Sequence, residues 1–358
     1  MTVTVFVCGD VMTGRGIDQV LPRPGNPALR EPSATDARAY VRLAGPIGQP
    51  AGFAWPWGDA LAVLDGFAPD IRLINLETAI TADGWFAPRK AVHYRMHPGN
   101  LGCLTAIRPD VCVLANNHVL DFGPRGLADT LETLAGAGIR TAGAGLDAGQ
   151  AERPAVLPVP GGGRILVAAG GMASSGVPRS WAATDGPGVA FVPDLSGRSA
   201  DRLAKRVVAG KQPGDVAIVS LHWGSNWGYT VESDQVRFAR RLIDAGVDLV
   251  HGHSSHHPRP IELYRGKLIL YGCGDLVNDY EGIKGYQAYR DDLRLLYFAT
   301  IGAGATTLRM VPLRARHFRL RHVTDEDAEW LRSALEHISL RFGTRVTRGD
   351  GVLTVPAA

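Results

Sequence analysis

Short runs rich in Val, Ile and Leu recur along the chain at residues 3–8, 71–76, 111–115, 165–169, 216–221 and 247–250. They lack the apolar/polar alternation of a half-exposed sheet, and runs of this length suit strands buried on both faces. Between them, residues 59–65, 100–107, 126–137, 199–208 and 235–245 place apolar side chains at helical spacing. The alternation of the two patterns predicts an α/β layered fold with its functional residues at the C-terminal ends of parallel strands. Residues 21–58 break the pattern: they are rich in proline, carry the knot Trp55, Pro56 and Trp57, and read as an irregular insertion. Insertions of this length are commonly functional loops, and the two tryptophans suggest a cover that stacks on a substrate.

After residue 260 the pattern changes. Residues 260–270 read as a β-hairpin, further alternating strands follow over 294–320, and Thr324 opens an amphipathic helix that runs to Leu340. The chain is thus expected to form one domain over 1–323, with 324–358 as a closing helix and tail packed on it.

Composition narrows the class. With 358 residues and 45% hydrophobic content the chain can bury a large core unaided. The net charge of +3 arises from 38 basic and 35 acidic residues spread along the sequence, so no nucleic-acid partner is implied. Cys8, Cys103, Cys112 and Cys273 have neither metal-pair nor bridge-framework spacing and read as buried thiols of a reducing compartment. The N-terminus starts directly in a strand, and no apolar stretch approaches the roughly 20 residues of a membrane span. A cytoplasmic protein without membrane insertion is expected.

The chemistry lies in what ends each strand. Asp10 ends the first run, Glu77 the second and Asn117 with His118 the third; His222 ends a later one, and residues 251–257 deliver His251, His253, His256 and His257. Any one of these alone reads as a capped turn or a hydrogen-bonded buried histidine. Together they point to a metal, because burying so many polar groups side by side is costly unless they coordinate something. Mixed oxygen and nitrogen donors suit one or two divalent ions such as Mn, Fe, Zn, Ni or Ca. The expected ligands are Asp10, Glu77, Asn117, His222, His253 and His256. Asp121, His251, His257 and Asp275 are expected behind them, and Arg15, His93 and Arg95 are expected to meet an anionic substrate.

The blocks GDVMTGR (9–15), NLE (75–77), ANNHVLDFG (115–123), HWG (222–224), GHSSH (252–256) and LILYGCGDLVND (268–279) resemble, in that order, the CapA family of capsule and poly-γ-glutamate biosynthesis proteins. That family falls within the calcineurin-like metallophosphoesterase superfamily, and the similarity spans about residues 3–320. The resemblance implies a four-layer αββα sandwich. It further implies Asp10 and His256 at a first metal, Glu77 as bridging carboxylate, Asn117, His222 and His253 at a second metal, and His118 as the group that assists a leaving oxygen. The chain departs from the phosphoesterase pattern at Met12, where those enzymes carry a histidine two residues after the aspartate. One first-site imidazole is missing, which favours a mononuclear centre and leaves Asp10 available for acid/base work.

The leading functional expectation is a metal-dependent hydrolase of phosphoesters using metal-activated water. The runner-up is a peptide-modifying Cα epimerase, with an acid and a base on opposite faces of the carbon. A capsule or polyglutamate assembly protein and a metal-stabilised binding protein complete the set. In each case the expected partner is an anionic small molecule or a peptide.

Overall fold

The computed structural model describes residues 2–302 and 306–357. Residues 303–305, which fall within the antiparallel section expected from sequence, lie outside the described residues, as do the terminal positions 1 and 358. The protein is mixed α/β, built on two large sheets.

In the first sheet, β1 (Val3–Val11), β2 (Ile71–Leu76) and β3 (Val111–Val113) run parallel, with Arg140–Ala142 beyond β3. In the second, β4 (Arg164–Gly171), β5 (Val216–His222) and β6 (Leu249–His253) run parallel. The hairpin Ile261–Tyr264/Lys267–Leu270 lies outside β6, and Ala155–Pro158 outside β4. The chain then returns to the first sheet through β7 (Asp275–Val277) and β8 (Leu293–Ile301). Thr306–Arg316 and the C-terminal hairpin Thr347–Gly349/Val352–Val355 extend that sheet antiparallel from β8.

Strand residues divide by parity, which explains the absence of polar alternation. Val5, Val7, Leu73 and Val111 face Val167, Ile218 and Leu249 of the second sheet in one apolar cluster. Phe6, Cys8, Ile74 and Leu76 face Ile17, Leu64, Leu104 and Leu127 in another. Leu166, Val219 and Val250 pack against Leu203 and Phe238 in a third. Both faces of each central strand are therefore dry. The closing helix spans Asp325–Ser339; the Thr324 hydroxyl accepts from the Asp327 backbone N–H at 3.2 Å, and Leu331 and Leu335 enter the cluster between the sheets.

The insertion is more ordered than its composition suggests. It holds the helix Arg38–Ala44, and its tryptophans serve the fold: Trp57 is fully buried with its indole N–H donating to the Cys103 carbonyl at 2.6 Å, and Trp55 donates to the His317 carbonyl at 3.0 Å. Stacking of these rings on a substrate is thereby corrected. Trp57 has no exposed face, and the Arg319 guanidinium lies 5.0 Å over the Trp55 ring. All four cysteines are buried and free. Among the described residues, no helix is long and apolar enough to cross a membrane.

β1 forks at its end. Val3–Val7 pair antiparallel with β8, whereas Asp10 and Val11 pair parallel with Asp275 and Val277 of β7. At the fork, a Cβ on Gly9 would stand 1.6 Å from the Gly274 carbonyl oxygen. Backbone cannot yield as a side-chain tip does, so Gly9→Ala is expected to cost about 1–3 kcal/mol or more in urea unfolding. Gly66→Ala, in the open on the helix Ala60–Phe67, is expected to be neutral or to gain up to ~1 kcal/mol. Equal stabilities for the two variants would refute this reading of the fork.

Candidate metal centre

The C-terminal ends of β1, β2, β5 and β6 converge on one edge. Parallel register sets Asp10 beside Asn75 on one flank and Asp275 on the other, while His222 and His253 are cross-strand neighbours in the facing sheet. Asp10, His222 and His253 are all buried, and among the described residues they form the one set of three such side chains whose donor atoms lie within 4.8 Å of one another. The two Nδ1 atoms of His222 and His253 are 2.8 Å apart, and His253 Nδ1 is 3.8 Å from Asp10 Oδ1. Asn117 Oδ1 lies 3.0 Å from His222 Nε2, and Glu77 Oε1 lies 3.6 Å from the same nitrogen. Asp10, His222 and His253 thus meet, while Asn117 and Glu77 approach His222 at its other ring nitrogen.

His256 is used differently. Its Nδ1 is 3.1 Å from Asp275 Oδ2, and the Asn226 amide donates to its Nε2 at 3.1 Å. Asp275 also accepts from Tyr280 Oη at 2.7 Å and Asn278 Nδ2 at 2.8 Å. His256 and Asp275 therefore make a hydrogen-bonded pair beside the cluster and not a second set of converging donors.

Electrostatics sharpen the picture. Burial, reinforced by the Asp275 charge, raises Asp10 to about 8, and Asn75 donates to its Oδ1 at 2.6 Å while its buried Oδ2 has no partner. Burial also raises Glu77, with Asp10 adding to it, and pushes His222 and His253 well below the usual imidazole range. Neutral imidazoles beside carboxyls that hold a proton only for want of a cation are the donor chemistry of a divalent metal site. The residues present fit such an ion.

His118 sits at the wall of a cavity of about 630 Å³ that opens over the cluster. Its Nδ1 is 2.5 Å from Asp121 Oδ2, its ring stacks on Tyr94 at 3.9 Å, and its Nε2 is 3.9 Å from Glu77 Oε1. Asp121 also accepts from Lys90 Nζ at 2.5 Å and from the Tyr94 backbone N–H at 2.7 Å. Burial lowers His118 to about 4 despite the Asp121 charge.

The expected substrate contacts are distributed otherwise. Arg15 borders the cavity, but its guanidinium donates to Asp279 at 2.5 and 3.1 Å, to Glu31 at 3.0 Å and to Tyr40 Oη at 3.1 Å. His93 is buried against the Ala87 carbonyl at 2.8 Å, and Arg95 lies over the Phe122 ring and donates to Asn26; neither reaches the cavity. That correction has a packing cause, since Tyr94 takes the place at the cavity and His93 and Arg95, on either side of it in the chain, pack elsewhere. His251 donates to the Cys8 carbonyl at 2.7 Å, and His257 packs face-on against Tyr289.

Asn75, Asn226 and Tyr280 were not singled out from sequence. Asn75 stands within the NLE block, but its role follows from register with Asp10, which no single strand reveals. Glu31, Ser33 and Tyr40 are the part of the insertion that reaches the cavity.

The sequence profile of the bacterial capsule synthesis protein PGA_cap matches residues 4–280. A probable polyglutamine synthesis accessory protein of Mycobacterium tuberculosis is 57% identical over 367 residues, covering 99% of this chain and 97% of its own. The PGA biosynthesis protein CapA of Bacillus subtilis is 25% identical over 296 residues, covering 81% of this chain and 66% of its own. The capsule biosynthesis protein CapA of Bacillus anthracis is 27% identical over 216 residues, covering 59% of this chain and 49% of its own.

The Asp10 shift sets a pH dependence in metal-free protein. A carboxyl raised from 3.8 to about 8 contributes stability that is full below the lower value and is lost as pH rises through the higher one. Asp10→Asn carries no charge to bury, so its stability relative to wild type in chelator should climb between pH 4 and 8. A difference that stays flat across urea titrations in that window would remove the argument.

Proposed function

This chain belongs to the bacterial capsule synthesis protein PGA_cap family, and on that premise we propose that it is a metal-dependent enzyme, a hydrolase acting on an anionic phosphoester. The observation that carries the reading is the convergence of Asp10, His222 and His253 beneath a cavity whose wall holds His118, backed by Asp121. The three apolar clusters, one between the sheets and one on each outer face, support a four-layer αββα sandwich.

In this reading Asp10, His222 and His253 would hold one divalent ion, with Glu77 and Asn117 beside the far ring nitrogen of His222. When bound, it supplies Lewis acidity and an acidified water. Asp121 accepts from Nδ1 of His118 and so fixes its ring with Nε2 toward the cavity, where that nitrogen exchanges a proton with the substrate's leaving oxygen. The imidazole is neutral in the empty cavity, and an incoming anion raises its proton affinity at the moment a proton is wanted. Lys90 donates to Asp121 and to the Asn117 carbonyl, tying the His118 brace to the segment that presents Asn117. The names of the relatives support a role accessory to polyglutamine, PGA or capsule synthesis.

One observation favours acid/base chemistry on a peptide as a second reading. Two histidines, each backed by a buried carboxylate, border the same cavity, and their environments drive them apart: burial lowers His118, while the Asp275 carboxylate outweighs burial and raises His256. Such divergence suits an acid and a base. Peptides incubated with the enzyme in deuterated water would gain deuterium at Cα under this reading and none under the first.

For the hydrolase, His118→Ala should lower turnover by about 10²–10⁴-fold while metal content by elemental analysis stays at the wild-type level. Metal-loaded wild type that is inert across a panel of phosphate mono- and diesters would eliminate the phosphoesterase reading.

A further inference from the structure

Behind His253 a chain of hydrogen bonds crosses from one sheet to the other. Ile218, Ser220 and His222 share one face of β5, and Leu249, His251 and His253 share the matching face of β6; Ser220 pairs with His251 and His222 with His253. Lower down these faces are apolar, so both polar side chains lie in the dry layer between the sheets, each 0% exposed. Ser220 Oγ is 2.9 Å from His253 Nε2 and 3.0 Å from His251 Nδ1. The other nitrogen of His251, Nε2, is 2.7 Å from the carbonyl oxygen of Cys8 on β1.

The direction of every bond in this chain follows from its far end. A carbonyl oxygen only accepts, so His251 Nε2 carries a proton. His251 has only that carbonyl and a hydroxyl as hydrogen-bond partners and sits in an apolar layer, where a charged imidazolium is disfavoured. The ring is therefore neutral, its Nδ1 is an acceptor, and the Ser220 hydroxyl proton points to it. A serine has one proton to give, so toward His253 its oxygen accepts, and His253 Nε2 must donate.

We infer that Ser220 and His251 are positioning residues that hold His253 as its Nε2–H tautomer, leaving the Nδ1 lone pair turned toward Asp10 and His222. The purpose of this device rests on the metal reading above; the tautomer itself does not. Hydrogen bonds of this kind behind a histidine ligand fix its orientation and raise its basicity. Here the final acceptor is a backbone carbonyl of the opposite sheet, so the packing of the two sheets sets the tautomer.

Histidine-labelled protein stripped of metal tests this directly, because long-range ¹H–¹⁵N spectra distinguish the two tautomers. Wild type should show both His251 and His253 protonated at Nε2. In Ser220→Ala the Nδ1–H form of His253 should appear and Mn²⁺ affinity by calorimetry should fall about 10–100-fold, whereas Ser220→Thr, which keeps the hydroxyl, should restore both. Finding His253 protonated at Nδ1 in wild type overturns the inference, as does a folded Ser220→Ala variant with unchanged tautomer and affinity. If Ser220→Ala does not fold, the wild-type spectrum decides alone. Wild type that shows the Nε2–H tautomer but binds no Mn²⁺ would defeat the metal proposal and leave the hydrogen-bond chain standing.

Discussion

The close passage of β1 against the Gly274 carbonyl at Gly9 is the contact on which the rest of the edge depends. Because no side chain intrudes there, β7 lies beside the last residues of β1 after β8 has paired with its beginning. Asp10 is thereby flanked by Asn75 and Asp275, one giving it a hydrogen bond and the other pressing its proton on. The Cys8 carbonyl, next to the same glycine, receives the proton of His251 from the second sheet. One absent methyl thus ties the placement of the carboxylates to the orientation of an imidazole across the interface.

A second constraint is the cost of charge in a dry place. Asp10, Glu77 and Asp275 share a buried edge, and only Asp275 has gathered enough donors, from His256, Asn278 and Tyr280, to stay ionised comfortably. Asp10 and Glu77 have not. An edge built this way is unfavourable for carboxylates by themselves and favourable once a cation shares them.

Much of this was legible in the chain. The six apolar runs became central strands because burial on both faces leaves an unmistakable pattern, and polar residues ending five of them landed on the common edge. What sequence did not disclose was pairing across strands. His256 reads as another ligand from its spacing in GHSSH, yet its partner is Asp275, brought in by a strand that joins only the tip of β1. Arg95 and His93 look like anion contacts until the fold gives Tyr94, between them, the place at the cavity. The tryptophans of the insertion look like a substrate platform until Trp57 is seen to have no exposed face and Trp55 to lie under the Arg319 guanidinium. Side-chain chemistry was readable, while register and the identity of each hydrogen-bond partner belong to the folded chain.

The ion pairs of Arg15 and Lys90 bear on how the cavity greets a ligand. Each of these cations arrives with its own counter-charge, Arg15 between Asp279 and Glu31 and Lys90 on Asp121. The walls they build are electrically quenched and mechanically braced, so they discriminate by contour. On the proposed reading, negative charge would be selected by an ion on the floor of the basin and by Lys284 on its wall, and a guest of the right outline with no anionic group would find little there to hold it.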